Sequence, residues 1–144
     1  MIEQDTIRLL RECDAGVKMG VDAIEQVLPH VKSQALKEHL MESRNDHETL
    51  DRRLQQLLDR YHDDGKDPGM MAQSMSWLKT NAKLAWEDGD ATVADLITDG
   101  CNMGVKSLRK YLNQYKAADE DSKNVTKDLI DIEERLTAQM RSYL

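Results

Sequence analysis

Between Leu36 and Tyr61 the chain repeats one spacing without a break. Leu36, Leu40, Ser43, His47, Leu50, Leu54, Leu57 and Tyr61 recur at alternating steps of four and three. Only an α-helix brings residues at those steps onto one face, and a stripe of that kind has to be buried against other helices. The spacing returns in three more segments. Leu9, Leu10, Cys13, Val17, Val21, Ile24 and Leu28 carry it near the start; Ala94, Ile97, Cys101, Val105, Leu108, Leu112 and Tyr115 carry it later; Val125, Leu129, Ile132, Leu136, Gln139 and Tyr143 carry it near the end.

Sharp breaks separate these stripes. Pro29 and Ser33 divide the first from the second, with Ser33 placed to cap a helix by accepting from exposed backbone N–H groups. "DDGKDPG" (63–69) is a loop in which Asp67 and Pro68 read as a cap followed by proline at the first helical position. "DGD" (88–90), with Asp90 as the expected cap, and "ADEDS" (118–122) supply the other two. Five helices follow: A, about Asp5 to Leu28; B, about Gln34 to His62; C, about Met70 to Glu87; D, about Ala91 to Lys116; and E, about Lys123 to Ser142. Four long helices with one apolar stripe each predict an all-α four-helix bundle, and the 144 residues fit a single domain, 1–144.

Short connections make A–B and D–E hairpins. Helix C, at about 1.5 Å per residue, is long enough to return the chain to its starting end. Helix D then runs parallel to B, an up-down-down-up order in which the shorter fifth helix is the crossover; a plain five-helix up-down array is the alternative.

Composition narrows the function. Seven Gly, two Pro and 33% charged residues suit a helical protein, and the absence of Phe leaves the core to Leu, Ile, Val, Met and Ala. A net charge of −7 argues against nucleic acid or an anionic membrane as partner, because phosphate binding needs a basic face. No stretch approaches the roughly 20 apolar residues of a membrane span, and "MIEQDTIRLLREC" lacks the layout of a signal peptide. Two cysteines, Cys13 and Cys101, with no Cys-x-x-Cys motif, fit a reduced cytoplasmic setting.

"CDAGVK" (13–18) and "CNMGVK" (101–106) form a short internal echo, and both helices carry Gly-x-x-x-Gly: Gly16 with Gly20, and Gly100 with Gly104. Glycine costs about 1 kcal/mol against alanine inside a helix, so close packing of a neighbour is expected there. With "DAGVKMGVDAIEQVLP" on helix A and "DGCNMGVKSLRKYLNQY" on helix D, the chain resembles the ferritin-like superfamily. Within it the chain is similar to the bundle family labelled domain of unknown function 2383. Asp14, Gly16, Cys101, Gly104 and Tyr111 carry that likeness. The resemblance implies a fold and, since the family has no assigned activity, no reaction.

"ESRNDHETL" (42–50) raises the question of metal. A di-iron bundle needs an inward Glu from each of two helices and Glu-x-x-His from the other two. His47 faces inward, but Arg44 stands three residues before it. Helix E has no histidine, and Asp131, Glu133 and Glu134 fall off its apolar stripe. No conventional di-iron centre and no cofactor are expected. Asp14 and His47 are expected at one height, joined by a hydrogen bond or ion pair with Ser43 helping. The alternative is a mononuclear metal site using Asp14, His47 and Cys13 or Cys101. Methionine-rich "GMMAQSMSW" (69–77) reads as packing or as a contact surface. Gly16, Gly20, Ala82 and Gly104 leave open a pocket for an apolar ligand. The expectation is a non-enzymatic structural or protein-interaction module, forming a homo-oligomer, most simply a dimer; the alternative is a metal-binding ferritin relative.

Overall fold

The computed structural model describes residues 2–66 and 88–144. Most of them lie in four long helices: α1 (Ile2–Val27), α2 (Gln34–Arg60), α3 (Asp90–Gln114) and α4 (Glu120–Met140). Among the described residues there is no strand. The all-α expectation and the four long segments are thus found, with ends shifted by a few residues. Helix C (Met70–Glu87), its Asp67–Pro68 start, the methionine-rich stretch and Ala82 lie outside the described residues.

Local chemistry sets the ends. Ser33 caps α2 as expected, its Oγ accepting from the Leu36 N–H at 3.3 Å. Asp119 caps α4 by accepting from the Ser122 N–H at 2.8 Å, which starts that helix at Glu120 rather than Lys123. Asp90 is not a cap. It is the first residue of α3, and its carboxylate accepts from the backbone N–H groups of Lys32 (2.7 Å) and Ser33 (3.1 Å). Those donors belong to the α1–α2 connection and have no helical carbonyl to bond, so a charged acceptor there ties α3 to the first hairpin.

Pins at the other end settle the helix directions. The Asp5 carboxylate accepts from the Ala117 N–H (3.1 Å) and Thr6 Oγ1 from the Asp119 N–H (2.8 Å). Tyr61 donates its hydroxyl to Asp119 at 3.1 Å. The start of α1, the end of α2 and the α3–α4 turn therefore share one end, while the α1–α2 turn and the start of α3 share the other. So α3 runs in the same sense as α2, and α4 in the same sense as α1. Around the bundle the order is α1, α2, α4, α3, with α1 and α4 also touching across the centre.

Along the α2–α4 seam the register is visible in three ion pairs: Asp46–Arg135 (3.5 Å), Arg53–Asp128 (2.6 Å) and Arg60–Asp121 (3.3 Å). Each step advances seven residues on α2 and retreats seven on α4, the spacing at which two antiparallel helices return to one shared face. All six side chains are substantially exposed, so the ladder selects register more than it stabilises.

Stability comes from the core, which falls into two clusters. One joins Leu10, Cys13 and Val17 to Leu50, Leu54, Leu57, Leu58, Leu108, Val125, Leu129 and Ile130. The other joins Ile24 and Val27 to Leu36, Leu40, Val93, Ala94, Ile97, Cys101, Leu136 and Met140. Each fully buried leucine contributes about 1.5–3 kcal/mol of transfer free energy. Leu54 has no exposed surface, and Leu54→Ala should lower unfolding stability by about 2–5 kcal/mol, measured by urea denaturation.

Candidate functional site

The level at which the two apolar clusters meet is polar. On α2 it holds Ser43 and His47, which are 5% and 1% exposed; on α4 it holds Glu133, 6% exposed. On α1 and α3 it holds Gly20 and Gly104, which lie against His47 and Glu133, and Gly20 is level with Glu133 by register. Cys13 bonds Thr126, and Thr6 bonds the Asp119 N–H, in each case 113 residues apart. The same offset sets Gly20 level with Glu133.

His47 and Glu133 each seat on a glycine. A Cβ added at Gly20 would lie 2.6 Å from His47 Nε2 and 2.8 Å from its Cδ2. One added at Gly104 would lie 2.5 Å and 2.8 Å from the two Glu133 carboxyl oxygens. The close packing expected at the Gly-x-x-x-Gly pairs is thus found at one glycine of each pair. Gly16 makes only an ordinary contact with Leu129, and Gly100 has no neighbour within 4 Å.

His47 is held in one tautomer. Nδ1 lies 2.7 Å from the Ser43 carbonyl oxygen, and a carbonyl only accepts, so Nδ1 carries the proton. Nε2 is then an acceptor, and it is buried with no hydrogen-bond partner. Burial lowers the pKa of the ring below its ordinary 6.5, against smaller upward pulls from the Ser43 carbonyl and Asp46. Leaving such an acceptor unbonded costs about 1–3 kcal/mol.

Glu133 corrects the reading that put it off the apolar face. The buried residues of α4 are Ser122, Val125, Thr126, Leu129, Ile130, Glu133, Leu136 and Met140. The true stripe passes through Glu133 and Met140 where the sequence pattern traced Ile132 and Gln139. An unbroken apolar choice was available at 132, which hid the carboxyl in the pattern; the glycine opposite, Gly104, was the available signal. Oε2 of Glu133 is buried without a partner, and burial alone pushes its pKa up to about 8. At neutral pH it is a neutral carboxylic acid.

Asp14 does not join this layer. Fully buried, its carboxylate accepts from Lys18 Nζ (2.9 Å), Gln55 Nε2 (2.9 Å) and the Lys66 backbone N–H (2.8 Å). The expected Asp14–His47 bond is therefore replaced by two separate arrangements. Asp14 fastens the 61–66 segment to α1 and α2, while His47 bonds one turn back along its own helix. Only the help from Ser43 is found, through its carbonyl; its hydroxyl is itself buried and unbonded.

The thiols are quiet. Cys13 shares a 3.0 Å hydrogen bond with Thr126, and desolvation pushes both Cys13 and Cys101 up to about 12, which keeps them protonated and unreactive. Among the described residues no group of three or more His, Cys, Asp or Glu is arranged to hold a metal ion. Comparison with protein-family models, with curated proteins and with solved structures finds no match to this chain.

Two outcomes follow for the layer. Gly20→Ala should lose about 1–3 kcal/mol by overpacking His47, although alanine is the better helix former; in a His47→Ser background the penalty should vanish in urea titrations. His47 has a folded pKa below its unfolded 6.5. Its contribution is therefore present above about 6.5 and lost as pH falls below it. His47→Leu should remove that acid limb from the stability–pH curve.

Proposed function

We propose that this chain is a ferritin-like bundle of the single-crossover kind, without a conventional di-iron site, acting as a non-enzymatic structural or protein-interaction module. The helix directions support the fold: α3 lies parallel to α2, with the chain leaving the first hairpin at the α2 end and re-entering beside the α1–α2 turn. The expected crossover, helix C, lies outside the described residues.

The observation that carries the functional reading is the make-up of the middle level. A di-metal centre there needs carboxylates from all four helices and two histidines three residues after a glutamate. Here α1 and α3 present Gly20 and Gly104, α2 presents His47 behind Arg44, and α4 presents Glu133 followed three residues later by Leu136. These residues do not fit a di-iron site, and Asp14, the other acid considered with His47, is saturated by Lys18, Gln55 and Lys66.

The protein works in the cytoplasm in this reading, where its two free, buried cysteines stay reduced. Its surface is acidic and is matched to protein rather than to nucleic acid or membrane; among the described residues no helix is long and apolar enough to cross a membrane. A homodimer is the simplest assembly, and the 68%-exposed Met103 on the outer side of α3 supplies an adaptable apolar contact for it.

Elemental analysis of untagged protein after incubation with iron(II), manganese(II) and zinc(II) should find well below one equivalent retained. One equivalent or more, lost in His47→Ala, would instead establish the metal-binding ferritin relative. Light scattering should give twice the 16.5 kDa chain mass; a monomer at all concentrations would remove the dimer from the proposal.

A further inference from the structure

Among the described residues Glu133 is the one acid whose side chain is buried with an oxygen left unbonded. Its carboxyl group lies against the backbone of α3 at Gly104, where a single added carbon would sit 2.5 Å away. The titratable groups facing it are few. Cys13 from α1 and Cys101 from α3 both feel its charge, and that charge pushes both thiols further up. From α2 comes His47, neutral and already bonded to Ser43 through Nδ1. Asp46 and Arg135 beside this level pair with each other on the outside of the bundle. Among the described residues no cation is turned toward the carboxyl group, and its titration is governed by desolvation.

We infer that the Glu133 carboxylic acid is a proton-operated latch on the α3–α4 seam. With its proton on, a neutral group packs against Gly104 and the helices stay closed; when the proton leaves, an unpaired carboxylate is buried, and the seam parts to let water reach it. An isolated charge in an apolar site cannot persist closed without a partner, because the lost hydration is not replaced. The closed seam thus depends on pH in one direction. Its folded pKa is raised from 4.5 to about 8, so the stability linked to that proton is complete below about 4.5 and lost as pH rises to about 8. This device goes beyond a structural module: it makes the bundle a conditional one, closed most firmly in acid and progressively looser as pH rises to about 8.

Cys101 stands beside the latch on α3 and reports its opening. The test is alkylation of native protein at about pH 6.5 and about pH 9, each rate divided by that of the urea-unfolded chain at the same pH to remove the intrinsic thiolate effect. Labelled sites are located by mass spectrometry in the wild type and in Glu133→Gln, which keeps the shape and cannot ionise. Normalised labelling of Cys101 should rise about thirtyfold in the wild type and by less than about threefold in Glu133→Gln. Equal rises in both proteins, no rise in either, or a matching rise at Cys13 that marks global unfolding would each overturn the inference. Should Glu133→Gln fail to fold, a carbon-13 titration of the wild-type Glu133 carboxyl decides. A midpoint near pH 8 upholds the latch, and one in the ordinary carboxylate range overturns it.

Discussion

The contact of two buried polar side chains with two helix backbones organises this bundle. His47 on Gly20 and Glu133 on Gly104 occupy the level where the apolar stripes of all four helices are interrupted, and the core divides there into two clusters. An apolar core tolerates sliding by one helical turn with little loss, because one leucine replaces another. A polar layer does not. Sliding α4 by a turn would bring a carboxyl group under a methyl or methylene neighbour and leave the glycine facing empty space. The orphaned oxygen and nitrogen are costs of that specificity, and they are kept small by neutrality: His47 deprotonated, Glu133 protonated.

Polar bonds at the two ends act with this layer. Asp90 reaches the turn between α1 and α2, Asp5 and Thr6 reach the turn between α3 and α4, and Asp119 serves both as the α4 cap and as the acceptor for Tyr61. Each of these uses a carboxylate or hydroxyl to satisfy backbone or phenolic donors that no helix could satisfy. Asp14 does the same from within α1, binding the Lys66 N–H. The acidic character of the chain, its net charge of −7, thus partly reflects acceptors spent on turns rather than a surface designed for a cationic partner.

That view also separates the two candidate residues that the sequence brings to one height. Asp14 and His47 are both buried on adjacent antiparallel helices, yet they stand at different heights: Asp14 is level with Gln55, which it bonds, and His47 with Gly20, further along α1 by more than a helical turn. Asp14 sits beneath the 61–66 segment, where three donors converge on it, and His47 swings over Gly20, where only a residue without a side chain leaves room for a ring. Counting residues from the turn assumes a symmetric hairpin, and the α1–α2 register, with Gly20 opposite His47 and Asp14 opposite Gln55, departs from it.

Period and punctuation settled what could be settled without a fold. The four-and-three spacing determined that the chain is helical and which residues of α2 are buried; every stripe position from Leu36 to Leu57 is. Ser33, Pro29 and the polar runs determined where helices stop, because caps and breaks are made by the residues adjacent to them. Tertiary structure decided the rest. Glu133 lies inside because the α4 stripe, followed from Val125 to Met140, turns through position 133, and Gly104 on α3 opens the space for a carboxyl group there. Asp90 bonds another helix's turn because folding brings unpaired N–H groups within reach. Both outcomes depend on a partner distant in the chain, and local periodicity carries no information about what stands opposite.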